Sequence, residues 1–242
     1  MNPAPGIPAT FTTTHWSVVL AAGQRHSEQA DEALETLCRS YWYPIYVFLR
    51  RSGWPPHDAE DLTQAFFERV LEKDYLRAVD RSKGKFRSFL LAMLRHFMAN
   101  YRRDARTIKR GGQYNLISLD DVSLEEQYAR SGFADTTPER SFERQWALTL
   151  LDQVVQRLRH EFRAVEKESL FDELKVFLTG DRTEIRYADL AAKLDTTEAA
   201  LKMTVSRMRQ RYGQLLRAEI AKTVSGPGEV EEELKALFAA LS

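Results

Sequence analysis

The sequence predicts an all-α protein of two helical domains joined by a linker, and three observations carry that prediction. Nearly every patterned segment repeats its apolar residues at helical spacing, and no segment alternates convincingly as a strand does. An acidic, unpatterned stretch at 113–136 then divides the chain. The predicted parts are a first domain over 1–112, the linker 113–136, a second domain over 137–224 and a hinge with a C-terminal helix over 225–242. The 242 residues are 43% hydrophobic, enough for one or two cores, which excludes wholesale disorder.

The elements follow in order. Residues 1–10 carry three prolines and read as an arm. Thr14 can cap a short helix through Ala22, which Gly23 stops. A helix from about Gln29 carries Leu34, Leu37, Cys38 and Tyr41, with Pro44 expected to interrupt or kink it. Pro55-Pro56 forces a turn, and Asp58 is placed to cap a helix through about Lys73 that keeps Leu62, Phe66, Val70 and Leu71 on one side. After a loop containing Gly84, a long helix runs to about Arg106. Its predicted buried stripe is Phe86, Leu90, Met93, Phe97 and Tyr101. Gly111-Gly112 ends this half.

Thr137-Pro138 has the form of a Thr cap followed by Pro at the first helical position, and the helix it opens runs through Trp146 to Phe162. A helix over Ser169–Leu178 follows, stopped by Gly180. Then come two shorter helices, Tyr187–Leu194 and Glu198–Arg217, separated by Asp195-Thr196-Thr197. After the break at Ser225–Gly228, Val230, Leu234, Leu237 and Leu241 share one helical face. The glutamates at that helix's start complement its dipole. A helix this short needs a partner for its stripe. The favoured expectation is a cap on the second domain; the sharper one is a cover over the basic second helix or a tie between the domains.

Lysine plus arginine and aspartate plus glutamate both total 35, yet the charge is unevenly placed. Residues 81–112 hold ten basic residues against one acid, and residues 197–222 hold six against two. Two separated basic blocks in a neutral chain suggest two contact zones for one polyanion. In the second block, Tyr187–Lys202 fits a helix-turn-helix: Ala191 and Ala192 permit close approach, and Leu190, Leu194 and Leu201 fill the angle. Thr197 caps a second helix that presents Lys202, Ser206, Arg207, Arg209 and Arg211, a shape that fits the major groove. The bland alternative is a helical hairpin with solvated arginines.

In the first block, Arg87, Arg95, Arg102, Arg103 and Arg106 crowd the polar side of the long helix, with His96 and Asn100 among them as base-reading candidates. Phe97 and Tyr101 point mostly inward by phasing. The loop Arg81–Phe86 suits a phosphate or flipped base about as well as it suits a plain surface turn.

These pieces, in this order, resemble the bacterial sigma-70 family of transcription initiation factors, specifically its extracytoplasmic-function (ECF) branch. Asp58–Leu71 looks like the core-polymerase-binding helix, Phe86–Arg103 like the promoter -10 helix and Tyr187–Arg211 like the -35-reading helix-turn-helix. Thr13–Val19 resembles the start of one ECF subgroup. The resemblance implies binding to the RNA polymerase core, on its beta-prime subunit, through Asp58, Asp61, Leu62, Gln64, Phe67 and Glu68. It implies -10 DNA contacts by Lys83, Lys85, Arg87, His96, Asn100, Arg103 and Arg106. It implies -35 contacts by Thr197, Lys202, Ser206, Arg207, Arg209 and Arg211. The chain departs from the family at Asp195, where Gly is common in the turn, and at Met203-Thr204, where an Arg is common. Its segment Val165–Gly180 is longer than usual, and the tail after Ser225 is an addition.

The expected partners are core polymerase and promoter DNA, with an anti-sigma factor or regulatory kinase as possible controllers and no membrane. The role needs no cofactor, no metal and no covalent chemistry. Cys38 is the only cysteine, so no intrachain disulfide forms. The start lacks a charged n-region and no apolar run approaches the ~20 residues of a membrane span, which points to the cytoplasm. Two rivals remain: a helix-turn-helix regulator acting without strand opening, and a helical metal-dependent phosphohydrolase suggested by His57-Asp58.

Overall fold

A computed structural model describes residues 28–71, 85–107, 124–130, 136–179, 187–224 and 226–242. The expected N-terminal arm and first short helix, the loop with Lys83 and Gly84, and the stops at Gly111-Gly112 and Gly180 lie outside them. Among the described residues the chain is helical throughout, with no strand. The helices are α1 (Glu28–Arg51), α2 (Pro56–Leu71), α3 (Phe86–Thr107), α4 (Leu124–Arg130) and α5 (Pro138–Arg163). They continue as α6 (Glu168–Leu174), α7 (Val176–Thr179), α8 (Tyr187–Lys193), α9 (Glu198–Ala221) and α10 (Val230–Leu241). The residues form two compact units, one drawn from 1–147 and 220–242 and the other from 148–219. The division falls within α5 and near the end of α9.

In the first unit, α1 runs unbroken across Pro44 rather than stopping there. The lost backbone bond is offset by burial, since Tyr41, Ile45, Tyr46, Val47, Phe48 and Leu49 are all in the core. The helix ends where Gly53 takes a left-handed φ of 90°, which lets the Trp54 amide donate back to the Leu49 carbonyl at 3.2 Å. α2 then begins at Pro56, three residues earlier than a cap at Asp58 would place it. Proline suits the first helical position, and Asp58 serves the dipole from within the first turn rather than as the cap. α1 and α2 pack together, with Trp42 stacked on Phe67 at 5.5 Å.

The stretch expected as linker is not featureless, because α4 docks on the end of α1. Arg50 donates to both carboxylate oxygens of Glu125 at 2.9 and 2.6 Å, and Tyr46 donates to it at 2.7 Å. The Arg50 guanidinium also lies 5.0 Å over the Tyr128 ring. The Arg50 pair holds the Glu125 carboxyl below its ordinary value of 4.5. A depressed folded value means that the clamp stabilises fully above 4.5 and is lost as pH falls through the depressed value. The stability gap between wild type and Glu125→Gln, read from denaturant unfolding at stepped pH, should therefore be full near neutrality and close below pH 4.5.

α10 belongs to the first unit, which also takes in the start of α5 and the end of α9. Its Glu233 is fully buried, with Lys85 at 2.7 Å and Arg87 in direct contact. Arg87 in turn lies 4.5 Å over the Trp146 ring. A buried carboxylate needs a cation, and the start of α3 supplies two.

The second unit buries Leu150, Val154, Leu158, Phe171 and Leu174 with Leu190, Leu201, Val205 and Met208. The expected single helix over 169–178 is broken at Lys175 into α6 and α7. α5 ends with Glu166 at φ 58°, and α8 ends with Asp195 at φ 50°. In both cases the next amide reaches back, Lys167 to Phe162 at 2.9 Å and Thr196 to Ala191 at 3.0 Å. Asp195 therefore does what glycine does in such turns, using the tolerance of a short polar side chain for left-handed backbone.

Candidate nucleic-acid interface

α2 and α3 flank an open cavity of about 460 Å³ lined by Phe66, Arg69, Met93, His96, Phe97, Asn100 and Tyr101. The aromatic wall is continuous: Phe66 meets Phe97 at 5.7 Å, Phe97 stacks with Tyr101 at 6.3 Å, and Tyr101 meets Trp54 edge-on at 5.7 Å. Arg102 lies 5.6 Å over Trp54. His96 and Asn100 are exposed at the rim, one helical turn apart. Aromatic faces beside an amide, an imidazole and a guanidinium offer stacking and hydrogen bonds to a planar polar ring.

Other residues of the first basic block fare differently. Tyr101 is 44% exposed, not inward, because it sits past the end of the packed stripe. Arg103 is exposed, and Arg106 lies in α3 with its side chain outside the described residues. Lys85 is taken up by Glu233. Arg87 is a correction to the expected exposure: placed on the solvated side by the sequence, it is buried, ion-paired and stacked on Trp146. Arg69 and Trp54 add to the site without appearing among the sequence candidates, whereas Arg102 belongs to the basic side already named. Arg69 stands three residues after Phe66, so helical spacing alone could have flagged it.

On α2 the exposed acids are Asp58, Asp61 and Glu68, with Gln64 half-buried. His57 pairs with Asp61 at 3.1 Å, and Gln64 donates to Glu68 at 3.2 Å. Leu62 and Phe67 are a second correction. They are 2% and 5% exposed, on the side of α2 that forms the core, and are not available to a partner in this fold.

In the second unit Thr197 accepts the Ala200 amide at 3.2 Å and so caps α9. Lys202 bonds Glu198 at 3.0 Å and lies 5.5 Å over the Tyr187 ring. Ser206 and Arg207 are exposed. Arg209 donates twice to the Phe177 carbonyl, at 3.0 and 2.9 Å, and Arg211 holds both oxygens of Glu161 at 2.8 and 2.6 Å. Arg211 keeps the Glu161 carboxyl below its ordinary value. These two arginines brace their own unit, a restraint that the charge pattern did not show. Ala191 is buried as expected, whereas Ala192 is exposed.

Among the described residues no group of three or more His, Cys, Asp or Glu is placed to hold a metal ion, and no helix is long and apolar enough to cross a membrane. Burial pushes the Cys38 thiol up to about 11, so it stays protonated near neutral pH.

Taken together, the first unit is an all-α module whose basic helix flanks an aromatic, polar-rimmed cavity. Residues 37–108 match the family model described as Sigma-70 region 2, which takes in most of α1, all of α2 and all of α3. That match, over less than a third of the chain, supports a sigma-70 family RNA polymerase sigma factor and a role in transcription initiation. No curated protein and no solved structure matches the chain.

Proposed function

We propose that this chain is an ECF-type sigma factor that binds core polymerase, directs it to specific promoters and helps open them. The observation that carries the reading is that the aromatic cavity with His96 and Asn100 lies within the segment matching Sigma-70 region 2. In this reading the exposed face of α2 with Asp58, Asp61, Gln64 and Glu68 meets the polymerase. Unstacked bases of the -10 strand enter the cavity, and α8 and α9 form the -35 helix-turn-helix. Base unstacking costs a few kcal/mol, and stacking of roughly 1–3 kcal/mol per base offsets it. A cytoplasmic location follows from that role. An anti-sigma factor or regulatory kinase would act on the same exposed faces.

Transcription in vitro with core polymerase, with and without the chain, tests the proposal. A promoter-dependent transcript supports it, and its absence across promoters recovered by selection overturns it. A finer outcome is expected from variants. Asn100→Ala with His96→Ala should reduce open complexes about 10–100-fold on duplex promoters and still impair binding to a template melted at -10. Lys202→Ala with Arg207→Ala should be rescued on the melted template. Permanganate reactivity of unpaired thymines reads opening on the duplex and a mobility shift reads binding to the melted template, and a regulator that never melts DNA would give no reactivity on the duplex.

A further inference from the structure

We infer that Met203 reads a thymine methyl group in duplex DNA, making it a specificity-determining residue of α9. The inference rests on the helix-turn-helix role proposed above and adds to it the chemistry by which the helix discriminates. α9 buries Leu201, Val205 and Met208, and Met203 stands on the opposite side, 57% exposed. Ala199, Met203, Ser206 and Gln210 follow one another at i+4, i+3 and i+4 along that outward face, and all are exposed.

The cations around this strip are mostly occupied. Lys202 is held by Glu198 and Tyr187, Arg209 by the Phe177 carbonyl and Arg211 by Glu161. Among the described residues Arg207 has no ion-pair partner, and it is exposed beside Met203. Thr204 spends its hydroxyl on the Ala200 carbonyl at 2.9 Å. The face that remains is thus a thioether flanked by one arginine, one hydroxyl and one amide.

Such a face suits duplex DNA because residues 197–222 are net basic, and Arg207 can take a phosphate while the centre stays apolar. In the major groove the only apolar group on a base edge is the thymine C5-methyl. A flexible thioether adapts to it at little strain. Gln210 and Ser206 supply hydrogen bonds to neighbouring edges.

The test uses the full chain with core polymerase. A randomised duplex upstream region is first selected for binding, and each thymine of the enriched element is then replaced by deoxyuridine, which removes the methyl alone. Wild type should lose about three- to tenfold in affinity at one or two adjacent positions, as expected for burying one methyl against one side chain. Met203→Ala should bind the thymine duplex as weakly as wild type binds the uracil one, with no further loss on substitution. Met203→Leu should restore sensitivity. An enriched element without methyl sensitivity in wild type, or equal sensitivity in Met203→Ala, overturns the inference and leaves the sigma reading standing. Loss of core binding in Met203→Ala with no methyl effect assigns the face to protein and also overturns it. Failure to enrich any element, together with no transcription, removes the proposed function and this inference with it.

Discussion

Replacing Glu233 by alanine is expected to destabilise the first unit by about 3–5 kcal/mol, the usual loss when a buried pair is broken from one side. The carboxylate is 0% exposed and meets Lys85 and Arg87. Lys85 can turn its ammonium to water, since its side chain is 30% exposed, but Arg87 at 7% cannot without leaving Trp146. The alanine variant therefore strands a guanidinium in the core. Denaturant unfolding measures the loss, and a drop under about 1 kcal/mol would mean that the cluster is wet. The double variant Glu233→Leu with Arg87→Met should recover most of the stability, because paired apolar replacements of buried ion pairs are often neutral. Recovery with normal promoter opening would also show that Arg87 is structural. If Arg87 instead bound DNA, the same double variant would open promoters poorly at unchanged stability.

Asp61→Arg is expected to weaken core association by about 2–5 kcal/mol while leaving the fold nearly untouched. Asp61 is exposed on α2, and its surface pair with His57 is worth about 0–1 kcal/mol. Inverting its charge opposes a basic partner surface directly. Titration of labelled chain with core polymerase gives the affinity, and wild-type binding in the variant would falsify the docking reading. Leu62 and Phe67 separate the two kinds of effect on the same helix. Phe67→Ala should cost about 3–5 kcal/mol of stability because it removes a stacked core ring. Any loss of polymerase binding in that variant would follow from unfolding.

Local chemistry makes much of the architecture legible. Thr137-Pro138 and Thr197 announce helix starts, and both threonine side chains accept the amide three residues on, at 3.3 and 3.2 Å. The periodic stripes of α2 and α10 and the first half of the α3 stripe mark buried sides, because 3.6-residue spacing is a property of neighbours in sequence. His96 and Asn100 are visible for the same reason, as polar groups one turn apart along the edge of an apolar stripe. α4 is not, because seven residues carry too short a pattern, and its order comes from Arg50 and Tyr46 far upstream.

That the regular structure of the described residues is helical, where most of those helices begin, and that the charge gathers in two blocks can thus be read without coordinates. Which of those charges remain free to meet a partner cannot, because folding settles it. Arg87 is bound to Glu233 across 146 residues of chain, and Arg211 to Glu161 across 50. Helical phase says on which side of its own helix a cation stands. It carries no information about the carboxylate, carbonyl or ring that folding brings to that side, and a cation's availability depends on that distant partner.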